Sequence, residues 1–327
     1  MLKKLSIIFL LVFPQFCNSS EVASFDVWLL KFKSKAIREG ISLETINYAF
    51  KDIRYLEQVI RYDRKQPEFF EDTLTYVNKR ATRKRAVIAK KLLKENYILF
   101  NEIEEKFHVE KELLLALWAI ETNFGKYVGK MDIISSLATL SFDKRRSKFF
   151  SDQLIVLLKL IDKKLIDVDT LYGSWAGAFG NFQFMPSTIQ NYAIDYDKNN
   201  KIELKESLSD SLASAANYIN SVGWIKGQPC FLKVESTKLI KNKLINFSAR
   251  DIKKRLPLRR WKKLGIKNYE DIFSNDELKA ALILPDGKQD TPMFLVFANY
   301  EVILKWNRSL RFGISVCTLT NLIKNEL

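Results

Sequence analysis

The amino-acid sequence predicts a mainly helical protein, and three observations carry that expectation. Apolar residues recur at three- and four-residue spacing over Phe25–Arg38, Leu43–Ile60 and Glu71–Asn101, the last with a basic face. The stretch Leu113–Ile120 is apolar nearly all round, as a buried helix is. No run of alternating residues suggests a large sheet, and short extended pieces are expected only around Phe231–Val234 and Phe294–Phe297. Internal repeats and low-complexity linkers are absent.

Composition narrows the chemistry. The 327 residues, 47% hydrophobic and 28% charged, suffice for a substantial core in one or two domains. A single histidine, His108, excludes a His-rich metal centre and leaves a Ser–His–Asp triad only that one residue to use. Three cysteines are too few for a Cys₄ zinc site or a disulfide scaffold. Acid–base chemistry is therefore expected from carboxylates. The net charge of +15 fits an anionic partner, or simply a solvated Lys-rich surface.

From the N-terminus, Lys3 and Lys4 precede an apolar run, Leu5–Phe13, and small polar residues follow Pro14. Nine apolar residues cannot span a bilayer. The pattern predicts a secretory signal peptide, residues 1–19, cleaved after Ser19 to give a periplasmic protein. Lipid attachment at Cys17 is the lesser reading, because Gln15 and Phe16 fit such a site poorly. Of the remaining cysteines, Cys230 and Cys317 can pair in an oxidising compartment or stand as two buried thiols. Basic residues concentrate in Asn78–Lys91, with seven and no acid, and in Leu232–Leu264, with twelve against Glu235 and Asp251. The middle, Lys111–Cys230, is nearly neutral and holds the candidate site residues.

Glu121 lies seven, four and three residues after Leu114, Leu117 and Trp118, on their helical face, and Gly125 is a natural stop. Burial and the negative end of the helix dipole both disfavour an ionised carboxylate there, which suits a general acid; a Glu emerging into solvent is the plainer alternative. Gly173–Ser187, GSWAGAFGNFQFMPS, lacks the GxxxxGK of a phosphate loop. Ser174, Asn181 and Gln183 offer hydrogen bonds, and Trp175, Phe179, Phe182 and Phe184 offer flat faces that suit sugar rings or a core turn. Asp195–Glu206, DYDKNNKIELKE, matches EF-hand spacing at positions one, three, five and twelve, with Asn200 in place of the usual Gly. Asp195, Asp197 and Asn199 would supply side-chain oxygens and Lys201 a backbone carbonyl to a structural Ca²⁺ or similar cation; the alternative is an Asn-rich polar turn.

Together and in order, these segments resemble the lytic murein transglycosylase B family. The resemblance rests on RYDRKQPEF (Arg61–Phe69), LLALWAIETNFGKYVG, SSLATLSFDKRRSKFF (Ser135–Phe150), the glycine–aromatic loop, DYDKNN, SAANYI (Ser214–Ile219), Gly223-Trp224, ALILPDG and NYEVILKWNRS (Asn299–Ser309). It implies a lysozyme-like helical core at 111–230, a helical region at 20–110, and a C-terminal region at 231–327 that completes the cleft. It further implies cleavage of the MurNAc–GlcNAc β-1,4 bond of peptidoglycan with 1,6-anhydro ends, and no cofactor for the chemistry. Glu121 falls on the catalytic glutamate. Ser174, Gln183, Tyr218 and Asn307 fall around the reacting sugar, and Tyr76, Arg145 and Arg146 on contacts to glycan or stem peptide. Asp210 aligns with the last metal ligand, and Glu206 competes for that role on ordinary spacing.

Trp306 stands where the family usually has Tyr, and Phe149 where some members have Tyr. These departures motivate the alternative of a peptidoglycan-binding protein without turnover. The expected partners are glycan strands and stem peptides, with peripheral contact to anionic membrane. No nucleic-acid motif accompanies the basic stretches, and a monomer is expected.

Overall fold

A computed structural model describes residues 19–65, 71–267 and 275–327. The expected signal peptide up to residue 18, Cys17 within it, and residues 66–69 of the RYDRKQPEF segment lie outside them. Ten helices precede and flank the site: α1 (Ser19–Arg38), α2 (Leu43–Ala49), α3 (Glu57–Arg64), α4 (Thr73–Arg80), α5 (Arg83–Glu95), α6 (Tyr97–Phe107), α7 (Lys111–Thr122), α8 (Ile133–Phe142), α9 (Ser147–Asp162) and α10 (Pro186–Tyr192). A two-residue pair, β1 (Met131–Asp132) and β2 (Tyr172–Gly173), ties the start of α8 to the glycine–aromatic loop. Helix α11 (Leu208–Ser221) follows the acidic loop. Among the described residues, no helix is long and apolar enough to cross a membrane.

Two expected helices are broken, and the breaks have local causes. Leu43–Ile60 divides into α2 and α3 because the chain between them runs extended across α8. There the Arg54 and Leu56 amides donate to Ser135 Oγ and Thr139 Oγ1, each at 3.0 Å, in place of helical carbonyls. Glu71–Asn101 divides into three. Asp72 caps α4 through the Thr75 amide, Thr82 caps α5 through the Arg85 amide, and Asn96 closes α5 on Leu92 O.

The buried helix is α7, with Leu113 to Ala119 all sequestered. It packs against α5, α6 and α11, and against the last helix, α14 (Leu310–Glu326). Truncating any of its leucines to Ala would cost about 2–5 kcal/mol. The C-terminal helix thus lies against elements from the first half of the chain, and one apolar core runs from Phe25 to Ile323.

The extended pieces are more organised than the sequence suggests. Strands β3 (Phe231–Ser236), β4 (Ile245–Asn246), β6 (Ile266–Lys267), β7 (Lys279–Ile283) and β8 (Met293–Val296) order as β4-β7-β8-β3-β6. β5 (Leu256–Pro257) pairs with β7 and leads into α12 (Leu258–Lys263). Among the described strand pairs, only β4–β7 is parallel. Ala281, Ile283, Phe294 and Val296 face the main core, whereas Ala280, Leu282, Met293 and Leu295 face a second cluster around Trp261. With both faces buried, β7 and β8 read as continuous apolar runs, which hides the period of two. β8 leads into α13 (Ala298–Trp306). Cys230, just before β3, is bonded to Cys317 of α14, with Cα atoms 6.1 Å apart. That settles the pairing that the sequence leaves open.

Candidate active site

Helix α7 ends at Thr122, three residues before the glycine expected to stop it. Asn123, Phe124 and Gly125 take φ of 50°, 61° and 78° in succession, and Asn123 is the left-handed cap. Gly125 serves a second purpose, since a Cβ there would stand 2.6 Å from Asn181 Oδ1. That oxygen accepts from Trp118 Nε1 at 3.2 Å, while Thr122 Oγ1 donates to Asn181 O at 2.8 Å. Asn181 Nδ2 donates onward to Lys205 O and Ser211 Oγ. Asn181 therefore fixes the end of α7 to the loop and to α11, a role that its place among the loop's hydrogen-bonding residues hinted at without locating.

Glu121, in the last turn of α7, is half-buried, and its Oε1 accepts a 2.9 Å hydrogen bond from Trp306 Nε1. Trp306 ends α13 and stacks on Tyr218 of α11 at 5.2 Å and 27°, and Tyr218 stacks on Tyr192 of α10 at 4.6 Å. The Tyr218 hydroxyl donates to Lys305 O at 2.8 Å. Burial, with the neighbouring Tyr192 adding to it, pushes that hydroxyl up to about 12, so it stays protonated throughout the neutral range. Asn307 follows Trp306 as the cap of α13, its amide on Ile303 O at 3.1 Å and its carbonyl accepting from Ser309 at 2.8 Å.

The glycine–aromatic loop forms the adjoining wall. Ser174 Oγ accepts from the Ala178 amide at 3.0 Å, and Phe179 and Phe184 exchange backbone hydrogen bonds. Gln183 sits at φ 51° with its amide nitrogen donating to Val128 O and Gly180 O, which leaves Oε1 as the acceptor side. Phe179, Phe182 and Phe184 do not present faces to a sugar: all three are buried, and Phe182 and Phe184 pack against Trp306. Their apolar area is spent on holding the loop, and among the loop's aromatics only Trp175 is half-exposed.

Other predicted residues lie elsewhere. Arg145 and Arg146 both clamp Asp63 of α3, which is 3% exposed; Arg145 Nε donates to its Oδ2 at 2.6 Å. Arg146 also lies 4.8 Å over the Phe150 ring. Asp63 stands within the RYDRKQPEF segment, but its sequence position alone does not show which arginines it faces. Arg145 lines an open cavity of about 750 Å³ with Tyr55, Glu57, Arg61 and Arg64. Tyr76 is 1% exposed in α4, with the Arg80 guanidinium 3.4 Å over its ring. Phe149 is 47% exposed beside Phe150.

The acidic loop brings Asp195, Asp197 and Asp210 together, with carboxylate oxygens within 4.8 Å of one another. Asn200 takes φ 68° at the usual glycine position. Asn199 Oδ1 accepts from the Lys201 amide at 2.8 Å. Asp210 is fully buried at the head of α11 and accepts from the Tyr196 and Glu203 amides, whereas Glu206 is exposed and pairs with Lys205. Burial pushes the Asp210 carboxyl up, backbone hydrogen bonds oppose this, and nearby Asp197 adds to it. Three hard oxygen donors, one of them desolvated, fit a calcium-type cation.

The transglycosylase SLT domain family matches residues 24–321 of the chain. Membrane-bound lytic murein transglycosylase B of Escherichia coli strain K12 is 38% identical over 128 residues, which is 39% of this chain and 35% of that protein. SltB3 from Pseudomonas aeruginosa, solved in complex with NAG-NAM-pentapeptide, superposes with a TM-score of 0.83 at 31% identity, over 92% of this chain and 79% of that one. At 24% identity the likeness is one of fold. SltB1 of the same organism gives 0.80 over 91% of this chain and 99% of its own. The Escherichia coli lytic transglycosylase Slt35, in complex with calcium, gives 0.76 over 91% and 93%.

Proposed function

Since the chain belongs to the transglycosylase SLT domain family, we propose that it is a lytic transglycosylase that cleaves the MurNAc–GlcNAc β-1,4 bond of peptidoglycan and leaves 1,6-anhydroMurNAc ends. The observation that carries this is Glu121 at the end of a buried helix, with the Trp306 indole donating to it and the Ser174–Gln183 loop alongside. Hydrolysing glycosidases need two carboxylates, one to protonate the leaving oxygen and one to attack or to activate water. Gly173–Ser187 contributes no acid, and Glu301 of α13 is engaged by Arg255. One carboxylate is enough when the nucleophile is the muramyl C6 hydroxyl, already tethered to the reacting ring.

Neutral Glu121 gives its proton to the glycosidic oxygen, the C1–O bond breaks, and the GlcNAc hydroxyl departs. The C6 oxygen then bonds to C1 while its proton returns to the Glu121 carboxylate, and no water is consumed. Ser174 and Asn307 orient the muramyl N-acetyl group, which stabilises the cationic centre by participation. Gln183 and Tyr218 bind around that sugar, and Arg145 and Arg146 meet stem-peptide carboxylates. The peptide-bearing ligand of SltB3 supports this substrate class. Asp195, Asp197, Asn199, Lys201 and Asp210 hold a structural cation that takes no part in the chemistry. The chain acts as a periplasmic monomer after removal of residues 1–19.

Muropeptide analysis of digested sacculi tests the reading. Anhydro ends are expected, and hydrated reducing ends would make the protein a hydrolase. Glu121→Gln should lower turnover by at least about a hundredfold while sacculus binding persists. A fully active variant would refute the role of Glu121, and a wild type that binds without turnover would favour the binding-protein alternative.

A further inference from the structure

The basic stretch Leu232–Leu264 is not one uniform surface. Lys253, Arg255, Arg259 and Lys262 are paired with Asp251, Glu301, Glu277 and Asp276. Lys238, Lys241 and Lys243 make no ion pair among the described residues, and all three are exposed on the loop that leaves β3. Between them stands Leu239, which at 88% is the most exposed large apolar side chain among the described residues. The loop holds it there. Ile240 is buried beneath, its amide donating to Gln289 Oε1 at 2.8 Å and its carbonyl accepting from Gln289 Nε2 at 2.7 Å. The Thr237 amide is fixed on Gly265 O at 3.0 Å. Exposed Lys267 and Lys288 belong to β6 and to the turn before β8, which meet at this same end of the sheet.

We propose that this end of the sheet docks on an anionic lipid bilayer, with Leu239 entering the headgroup–acyl boundary and the surrounding lysines meeting lipid phosphates. A polyanionic glycan or nucleic acid would use the lysines and leave the leucine in water. A lipid surface uses both, because insertion of apolar area and attraction to anionic headgroups add. The loop also stands at the end of the sheet away from the start of α13. β3 runs from the Cys230–Cys317 bond towards Leu239, and antiparallel β8 runs the other way into α13 and Trp306. The lipid-facing tip and the start of α13, the helix that ends in Trp306, thus lie off opposite ends of the β3–β8 pair. This inference does not depend on the reaction proposed above.

Co-sedimentation of the full chain with vesicles tests it, using phosphatidylcholine alone and phosphatidylcholine with about one-third phosphatidylglycerol. Binding is expected to the anionic vesicles only and to fade with added salt. Leu239→Glu should weaken the partition on the order of tenfold. The triple change of Lys238, Lys241 and Lys243 to Gln should weaken it on the order of a hundredfold. Both variants should keep wild-type thermal stability and turnover of short soluble glycans. A Leu239→Trp variant should shift its emission to the blue on anionic vesicles. Absence of wild-type binding at low salt would overturn the proposal. So would Leu239→Glu binding as wild type with unshifted Trp emission, which would assign the lysines to a polyanion instead. Loss of enzymatic turnover with vesicle binding intact would count against the proposed reaction alone.

Discussion

Trp306 carries an indole where the resemblance leads one to expect a tyrosine phenol, and its geometry gives that exchange a consequence. The indole N–H can only donate, so it favours an acceptor oxygen on Glu121, whereas a phenol could donate or accept. The same ring is stacked on Tyr218 and packed by Phe182 and Phe184, so its donor is held in place by apolar contacts. Trp306→Phe keeps much of that packing and removes the donor. A hydrogen bond to a carboxylate contributes about 1.5–3 kcal/mol, so kcat/KM on a soluble muropeptide substrate should fall about tenfold or more. Trp306→Tyr should retain more activity than Trp306→Phe. Equal activity of the Phe variant and the wild type would remove Trp306 from the catalytic arrangement.

At the scale of elements, the acidic loop between α10 and α11 is a structural device whose worth can be measured. Asp210 is buried at the head of α11 and Asp195 and Asp197 face it, so the loop concentrates like charges unless a cation joins them. Calcium added to chelator-treated protein should raise Tm by roughly 3–8 °C, the effect of a ligand held well above its Kd. In Asp210→Asn the rise should shrink to near zero, and an unchanged rise would place the cation elsewhere. This loop also marks how far sequence reaches. Asn200 was legible because its left-handed tolerance is a local property, and φ 68° fulfils it. The choice between Glu206 and Asp210 was not legible from EF-hand spacing, because it depends on which carboxylate the start of α11 turns inward. The two-faced burial of β7 and β8 escaped for the same reason: period two is visible only when one face is wet. The end of α7 and its carboxylate were local enough to read, but the partner of Glu121 comes from 185 residues away.

Over the whole molecule, long-range ties of this kind join the two halves of the chain, and one of them makes stability depend on pH. The Cys230–Cys317 bond closes 87 residues of separation and fixes the sheet to α14, which lies along α7. Nearby, Glu104 of α6 meets Lys111 of α7 at 3.1 Å and Lys226, beyond α11, at 2.7 Å. Partial burial works to raise the Glu104 carboxyl, but hydrogen bonds from Lys226 and Lys111 outweigh it and hold the group below the usual glutamate range. The same bond raises the Lys226 ammonium. A carboxylate depressed in the folded state binds its proton more readily when unfolded. Its contribution is therefore complete above the unfolded value of about 4.3 and is lost as pH falls through the lower folded value. Glu104→Gln should accordingly lower the urea midpoint near neutrality, and the gap from wild type should close as pH falls towards about 3. A gap that stays constant across that range would mean that Glu104 acts through packing, and that its ion pairs with α7 and the segment after α11 contribute nothing to holding these elements together.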